Sequence, residues 1–229
     1  MAMDPASPDF IYPLEAVRGG DAAKRLAELR RELAGSGRVP VILGDRDSVE
    51  SLKEVHEFNA EDVVVPGHLN DDPVQWFRDR MAEDPEAFEG MEDDDFDPEA
   101  AAPMHSLAVG FDHRGKERDE IWIATVDAEH SWELPLKLGY GAWNSCPAPE
   151  EHAIIARYWE EKYGAEIAVM TSDTVEFTVA RPPVSKEACD ELAKEMFVYC
   201  TDIVDQGVGS VPTLAKCVEG STVWFFWWD

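Results

Sequence analysis

The sequence predicts an α+β fold: a mixed, largely antiparallel sheet with helices packed on it and a buried aromatic strand at the C-terminus. Three observations carry that expectation. The chain ends in Ser221-Thr-Val-Trp-Phe-Phe-Trp-Trp-Asp229, a run too apolar to lie in water. Residues 166–171 and 174–180 are two strand-like runs around the short connection Ser172-Asp173, the pattern of a hairpin. Helix-period apolar stripes with capping residues alternate with such runs along the chain.

Taken in order, residues 1–12 read as a flexible leader without the charged and apolar regions of a secretory signal. Asp21 is placed to cap a helix to about residue 34, with Leu26, Leu29 and Leu33 on one face and Gly35 as its stop. Residues 39–43 form a short buried strand. Asp47 with Glu50 has capping-box spacing for a helix carrying Val49, Leu52 and Val55. Gly44-Asp45, between strand and helix, marks a possible site edge, because ligands favour the carboxyl ends of such strands. Residues 62–66 suggest another strand, and Pro73 opens a helix bearing Val74, Phe77 and Met81.

The acidic residues 83–103 lack the ligand order of a calcium loop, so they read as a solvated linker. They separate an N-terminal α/β segment, 13–82, from a C-terminal α+β domain, 104–229. In the latter, 106–111 and 120–126 suggest a hairpin with a long loop, and 132–138 a strand or an extended linker. Residues 139–147 form a loop, and Pro149 starts a helix to Tyr163 carrying Ile155 and Trp159. Ser185 caps a helix with Cys189, Leu192, Ala193, Met196 and Cys200 on one face. A polar loop at 201–209 and a short helix at 210–218 follow. In the final strand Val223, Phe225 and Trp227 point one way and Trp224, Phe226 and Trp228 the other. Burial of both faces implies a central strand or the floor of an aromatic pocket.

The formal charge of −28, from 48 acidic and 20 basic residues, repels nucleic acid and an anionic membrane alike. It suits docking of a basic protein, general solubility or adaptation to high salt. Four cysteines with no C-x-x-C spacing, and no run long enough for a membrane span, suggest a cytoplasmic protein with reduced thiols.

From Leu138 onward the chain resembles a bacterial family, domain of unknown function 4253. The resemblance rests on Leu138-Gly-Tyr-Gly-x-Trp-Asn-x-Cys-Pro147, Glu150-Glu-His152, Tyr158-Trp159 and Tyr163-Gly-Ala-Glu166. It continues through Arg181-Pro-Pro183, Tyr199-Cys200-x-Asp202, Asp205-Gln-Gly207 and Trp224-x-Phe-Trp-Trp-Asp229. Thr201 stands where the family often has proline. The resemblance implies one compact C-terminal domain and supplies no activity.

Candidate chemistry lies in two loops. Cys146 precedes a helix N-terminus, which favours a thiolate, and His152 is near enough to act as its base. Glu150-Glu151 between them argues for a structural cysteine instead. If residues 143–147 meet 200–207, then Cys146, His152, Cys200 and Asp202 gather in one place. The cysteine spacing fits no standard zinc site, so no metal and no cofactor are expected. Trp143, Asn144, Asp205, Gln206 and Asp229, floored by Trp224 or Trp228, are candidate ligand-binding residues or else plain helix caps. Two functions stay open. One is a non-catalytic accessory or immunity-type protein that docks a basic partner. The other is a small-molecule binder or thiol enzyme between the two loops.

Overall fold

The computed structural model describes residues 7–59, 72–92 and 95–229. The strand expected at 62–66 lies outside them. Six strands form one mixed sheet among the described residues: β1 (Leu14–Val17), β2 (Arg38–Gly44), β3 (Ile121–Asp127), β4 (Ala165–Met170), β5 (Thr174–Val179) and β6 (Val223–Trp227). Their order is β1-β3-β2-β4-β5-β6, with β2 and β4 parallel and every other pair antiparallel. Since β2 lies between β3 and β4, the N-terminal and C-terminal segments contribute to the same sheet.

One face carries helix α1 (Gly19–Glu32), whose Ala22, Leu26 and Leu29 cover Ile42, Ile121, Ile123 and Ala168. Its start is earlier than the Asp21 cap suggested. Gly19 donates its N–H to Arg118 O at 2.9 Å, and Gly20 donates to Glu117 Oε1 at 3.0 Å. A Cβ at Gly19 would lie 2.0 Å from Gly110 O, so only glycine lets α1 come this close to the 110–118 loop.

The opposite face packs against α2 (Arg46–Asn59), α3 (Pro73–Glu83), α5 (Pro149–Tyr163), α6 (Lys186–Tyr199) and α7 (Val211–Val218). Asp45, not Asp47, caps α2, accepting from Ser48 N–H at 3.1 Å. Asp72 and Ser185 cap α3 and α6. Residues 132–138 are helical, a 3₁₀ turn at Ser131–Glu133 leading into α4 (Leu134–Leu138).

Two expectations fail for one reason, that tertiary partners outweigh local pattern. Residues 106–111 are not a strand: β1 and β2 occupy both edges of β3. The polar 201–209 loop contains a π-helical turn, Ile203–Val208, with Ile203 and Val204 buried. The acidic stretch is tied down along α7, where Asp97 N–H donates to Thr213 Oγ1 at 2.9 Å and Cys217 Sγ to Ala100 O at 3.5 Å. It ends in a bridge between Met104 and Val223.

The final strand alternates as expected but is not central. Among the described residues it is an edge, paired in register with β5 from Thr174↔Trp227 to Thr178↔Val223. Trp224, Phe226 and Trp228 enter the core, while Phe225 on the other face remains 37% exposed. Phe226 stacks on Trp159 at a 5.4 Å centroid distance, and Tyr199 meets both edge-on at 4.9 and 5.1 Å. Rings of this kind bury about 150–250 Å² each, so Phe226→Ala is expected to cost about 3–5 kcal/mol in urea unfolding. Deleting residues 221–229 should leave a chain without a cooperative melt. A truncated protein melting cooperatively near the parent temperature contradicts this assignment.

Candidate functional site

The 139–147 loop is shaped by backbone that most residues avoid. Gly141 has φ 110°, and a Cβ there would meet Pro147 O at 2.0 Å. Ala142 and Asn144 also have positive φ, 68° and 46°. Ala142 N–H bonds Pro147 O at 2.9 Å, and Cys146 N–H bonds Trp143 O at 2.8 Å. This tight closure turns the Cys146 thiol inward, onto the first turn of α5.

There Cys146 Sγ lies 3.3 Å from His152 Nε2, and His152 Nδ1 lies 2.5 Å from Tyr199 Oη. The imidazole is 1% exposed, with the rings of Tyr140, Trp228 and Tyr199 at 5.2, 5.3 and 5.4 Å. Burial pushes its pKa down to about 3, with the Arg80 charge adding to the shift. Burial likewise raises the Cys146 thiol and, with it, the Tyr140 and Tyr199 hydroxyls. The neutral ring carries one N–H, so it donates to one of its two neighbours and accepts from the other. In this structure the pair is a neutral thiol within hydrogen-bonding distance of a neutral imidazole.

The 143–147 and 200–207 loops do converge, and the C-terminal residue joins them. Asn144 Nδ2 donates to Asp229 O at 2.6 Å, and Asp229 N–H donates to Asp202 Oδ2 at 3.2 Å. Gln206 Nε2 donates to Asp202 Oδ1 at 3.1 Å. Cys200 is near enough to raise the Cys146 thiol further but bonds elsewhere. Its thiol donates to Trp227 O at 3.0 Å, and burial pushes its pKa up to about 12. Trp143 packs edge-on against Tyr140 at 5.0 Å, Trp228 is 1% exposed, and Asp205 is exposed. Asn144, Gln206 and Asp229 of the expected ligand-binding set thus form a hydrogen-bonded clasp around Asp202. Among the described residues no group of three or more His, Cys, Asp or Glu is arranged for a metal ion, and no helix is long and apolar enough to cross a membrane.

Open space lies on either side of β6. A groove of about 320 Å³ runs along its outer edge, walled by Met196, Ile203, Leu214 and Trp224 and bordered by Asp202 and Gln206. A cleft of about 460 Å³ opens on the sheet face, at the carboxyl ends of β2 and β4, where Gly44-Asp45 suggested a site edge. It holds Ser48, Arg118, Thr171, Asp173 and Glu176, with Phe225 and Trp227 bordering both spaces.

Glu176 is 0% exposed, and its oxygens accept from Ala108 N–H at 2.7 Å and Val109 N–H at 2.9 Å. Burial raises its pKa to about 7, against the pull of those two N–H groups. Sequence reasoning missed this residue. A charge between Val175 and Phe177 reads as the solvent face of a strand, and only the loop above it shows otherwise.

Residues 122–229 match the family model described as Domain of unknown function (DUF4253), a match that starts on β3, earlier than Leu138. No curated protein and no solved structure matches the chain.

Two measurements check this description. In native buffer an aromatic disulfide reagent should modify Cys146, Cys189 and Cys200 far more slowly than a free thiol, and all four cysteines at once in denaturant. A native Cys146 that labels as fast as a free thiol contradicts the buried pair. Neutral His152 adds stability that is complete above pH 6.5 and is lost as pH falls toward about 3. The loss should reach about 4–5 kcal/mol at most, and His152→Gln should flatten that part of the stability–pH curve.

Proposed function

We propose that this chain, whose residues 122–229 match a domain of unknown function, is a non-catalytic recognition protein that docks an extended basic segment along β6. The observation that carries the reading is the open main chain at Phe225. Val179 N–H bonds Thr222 O and Trp228 N–H bonds Asp173 O, so the Thr222 carbonyl and the Trp228 N–H face β5, while Thr222 N–H bonds Met104 O at 3.0 Å. Val223 N–H also bonds Met104 O, and Trp227 O accepts from Cys200, so these residues face outward. By the alternation of an antiparallel strand, Phe225 presents its N–H and C=O outward too, between those two contacts.

An edge strand is a template for one more strand, and the segment ending at Met104 already begins such a pairing at Val223. The apolar groove beside it suits alternate side chains of an added strand. The charge of −28 and the carboxylates of Asp202, Asp205 and Asp229 near this edge favour a basic occupant. The neutral Cys146–His152 pair supports a protein that binds rather than one that makes covalent intermediates. The groove volume favours a second reading, a small apolar ligand, because about 300 Å³ is the lower end of ligand pockets.

Selection of displayed random decapeptides on the whole protein distinguishes the two. Enriched peptides should alternate Lys or Arg with apolar residues. Their affinity should fall at least about tenfold from about 0.05 to about 0.5 M salt. Phe225→Pro removes one outward N–H at a position an edge strand tolerates and should abolish binding. Enrichment of uncharged sequences with no salt dependence refutes the basic partner.

A further inference from the structure

We infer that the cleft between Glu176, Asp173 and the rings of Phe225 and Trp227 is a binding site for an alkylammonium group, such as the end of a lysine side chain. Pairing across β5 and β6 sets Glu176 opposite Phe225 and Thr174 opposite Trp227, so a carboxyl, a hydroxyl and two aromatic rings share one face. Helix α1 covers this face over β2, β3 and β4. Over β5 and β6 the chain at 108–109 lies against Glu176, with the cleft beside it.

The independent pointer to a ligand is Glu176. A fully buried carboxyl is costly, and this one has no lysine or arginine paired with it among the described residues. Its two backbone donors use one acceptor position on each oxygen, and a carboxylate has about four. The remaining capacity lies on a group that lines the cleft.

Charge in the cleft selects the sign of the occupant. Asp45, at the head of α2, is paired with Arg118, which removes that cation from play. Asp173, in the β4–β5 connection, accepts among the described residues from neutral hydroxyl donors: Thr171 at 3.1 Å, Thr174 at 3.2 Å and Ser172 at 3.5 Å. His113 is exposed in the 111–118 loop. With Asp45 and Arg118 paired, an anion would meet the carboxyl groups of Asp173 and Glu176, and among the described residues the other guanidinium beside the cleft, Arg114, bonds His113 Nε2 at 3.1 Å on the exposed loop. An ammonium finds Glu176 and Asp173 as counter-charges, and Val109, Phe111, Phe225 and Trp227 give its alkyl stem an apolar wall.

Binding of a cation favours ionised Glu176, so it is coupled to release of the proton that burial makes Glu176 retain up to about pH 7. Affinity should therefore rise about tenfold between about pH 6 and about pH 8. The source of the ammonium is the docked segment if the β6 reading holds; a free amine presents the same chemistry without it.

The test is titration of the whole protein, followed by NMR, with Nα-acetyl-lysine methylamide and with its Nε-acetylated, uncharged analogue. The ammonium probe should bind and strengthen with pH, and the analogue should not bind. Glu176→Gln, checked for an unchanged fold by circular dichroism, should remove binding and pH dependence together. Asp173→Asn should weaken binding severalfold, while His113→Gln should leave the pH profile in place. Equal binding of the analogue, a flat profile or full binding by Glu176→Gln overturns the assignment. If the free amine binds but no selected peptide does, the cleft stands and the docking reading falls. If peptides dock and replacing their lysine by norleucine changes nothing, docking stands and the cleft falls.

Discussion

The ring packing between β6 and helices α5 and α6 is the constraint on which the rest of the molecule depends. Phe226 lies flat against Trp159, and Tyr199 stands edge-on to both. Large rings in contact leave few alternative rotamers, so the last strand is fixed laterally as well as in depth. That fixes Trp228, which closes over His152, and brings Asp229 between Asn144 and Asp202. The chemistry of the Cys146 loop follows from this closure. A thiol and an imidazole that could activate each other in water are here sealed under aromatic rings, where neither charged form is favoured.

The same packing gives β6 its second property. With Trp224, Phe226 and Trp228 committed to the core, Phe225 and Trp227 are left on the opposite face, and the outer edge has no full-length neighbour strand among the described residues. Large rings at an open edge are normally a hazard for aggregation, and a high net charge of one sign counters it. The acidity of this chain and the aromatic edge thus belong to one physical problem, that of keeping an apolar edge strand from aggregating. Glu176 lies just behind that edge, joining the 108–109 backbone to the sheet.

Elements whose signals are local were legible in the sequence. Helix α5 opens on Pro149 and stops at Gly164 in the left-handed conformation, and the β4–β5 turn closes where Ser172-Asp173 indicated. Segment 106–111 looked like a strand because its composition is strand-like. Its backbone went elsewhere because β3 already had neighbours on both sides. The π-helical turn at Ile203–Val208 was hidden for a related reason: its polar residues face out while Ile203 and Val204 are drawn into the core.

By itself the sequence determined the α+β class and the alternation along the final strand. Each follows from short-range pattern plus the need to hide aromatic surface. Tertiary structure alone decided that β6 is an edge among the described residues, that the 143–147 and 200–207 loops meet, that Cys146 and His152 are buried together, and that Glu176 sits buried beside a cleft. Those outcomes depend on which surfaces come from distant parts of the chain, and pairing order, burial and pKa are properties of that assembly.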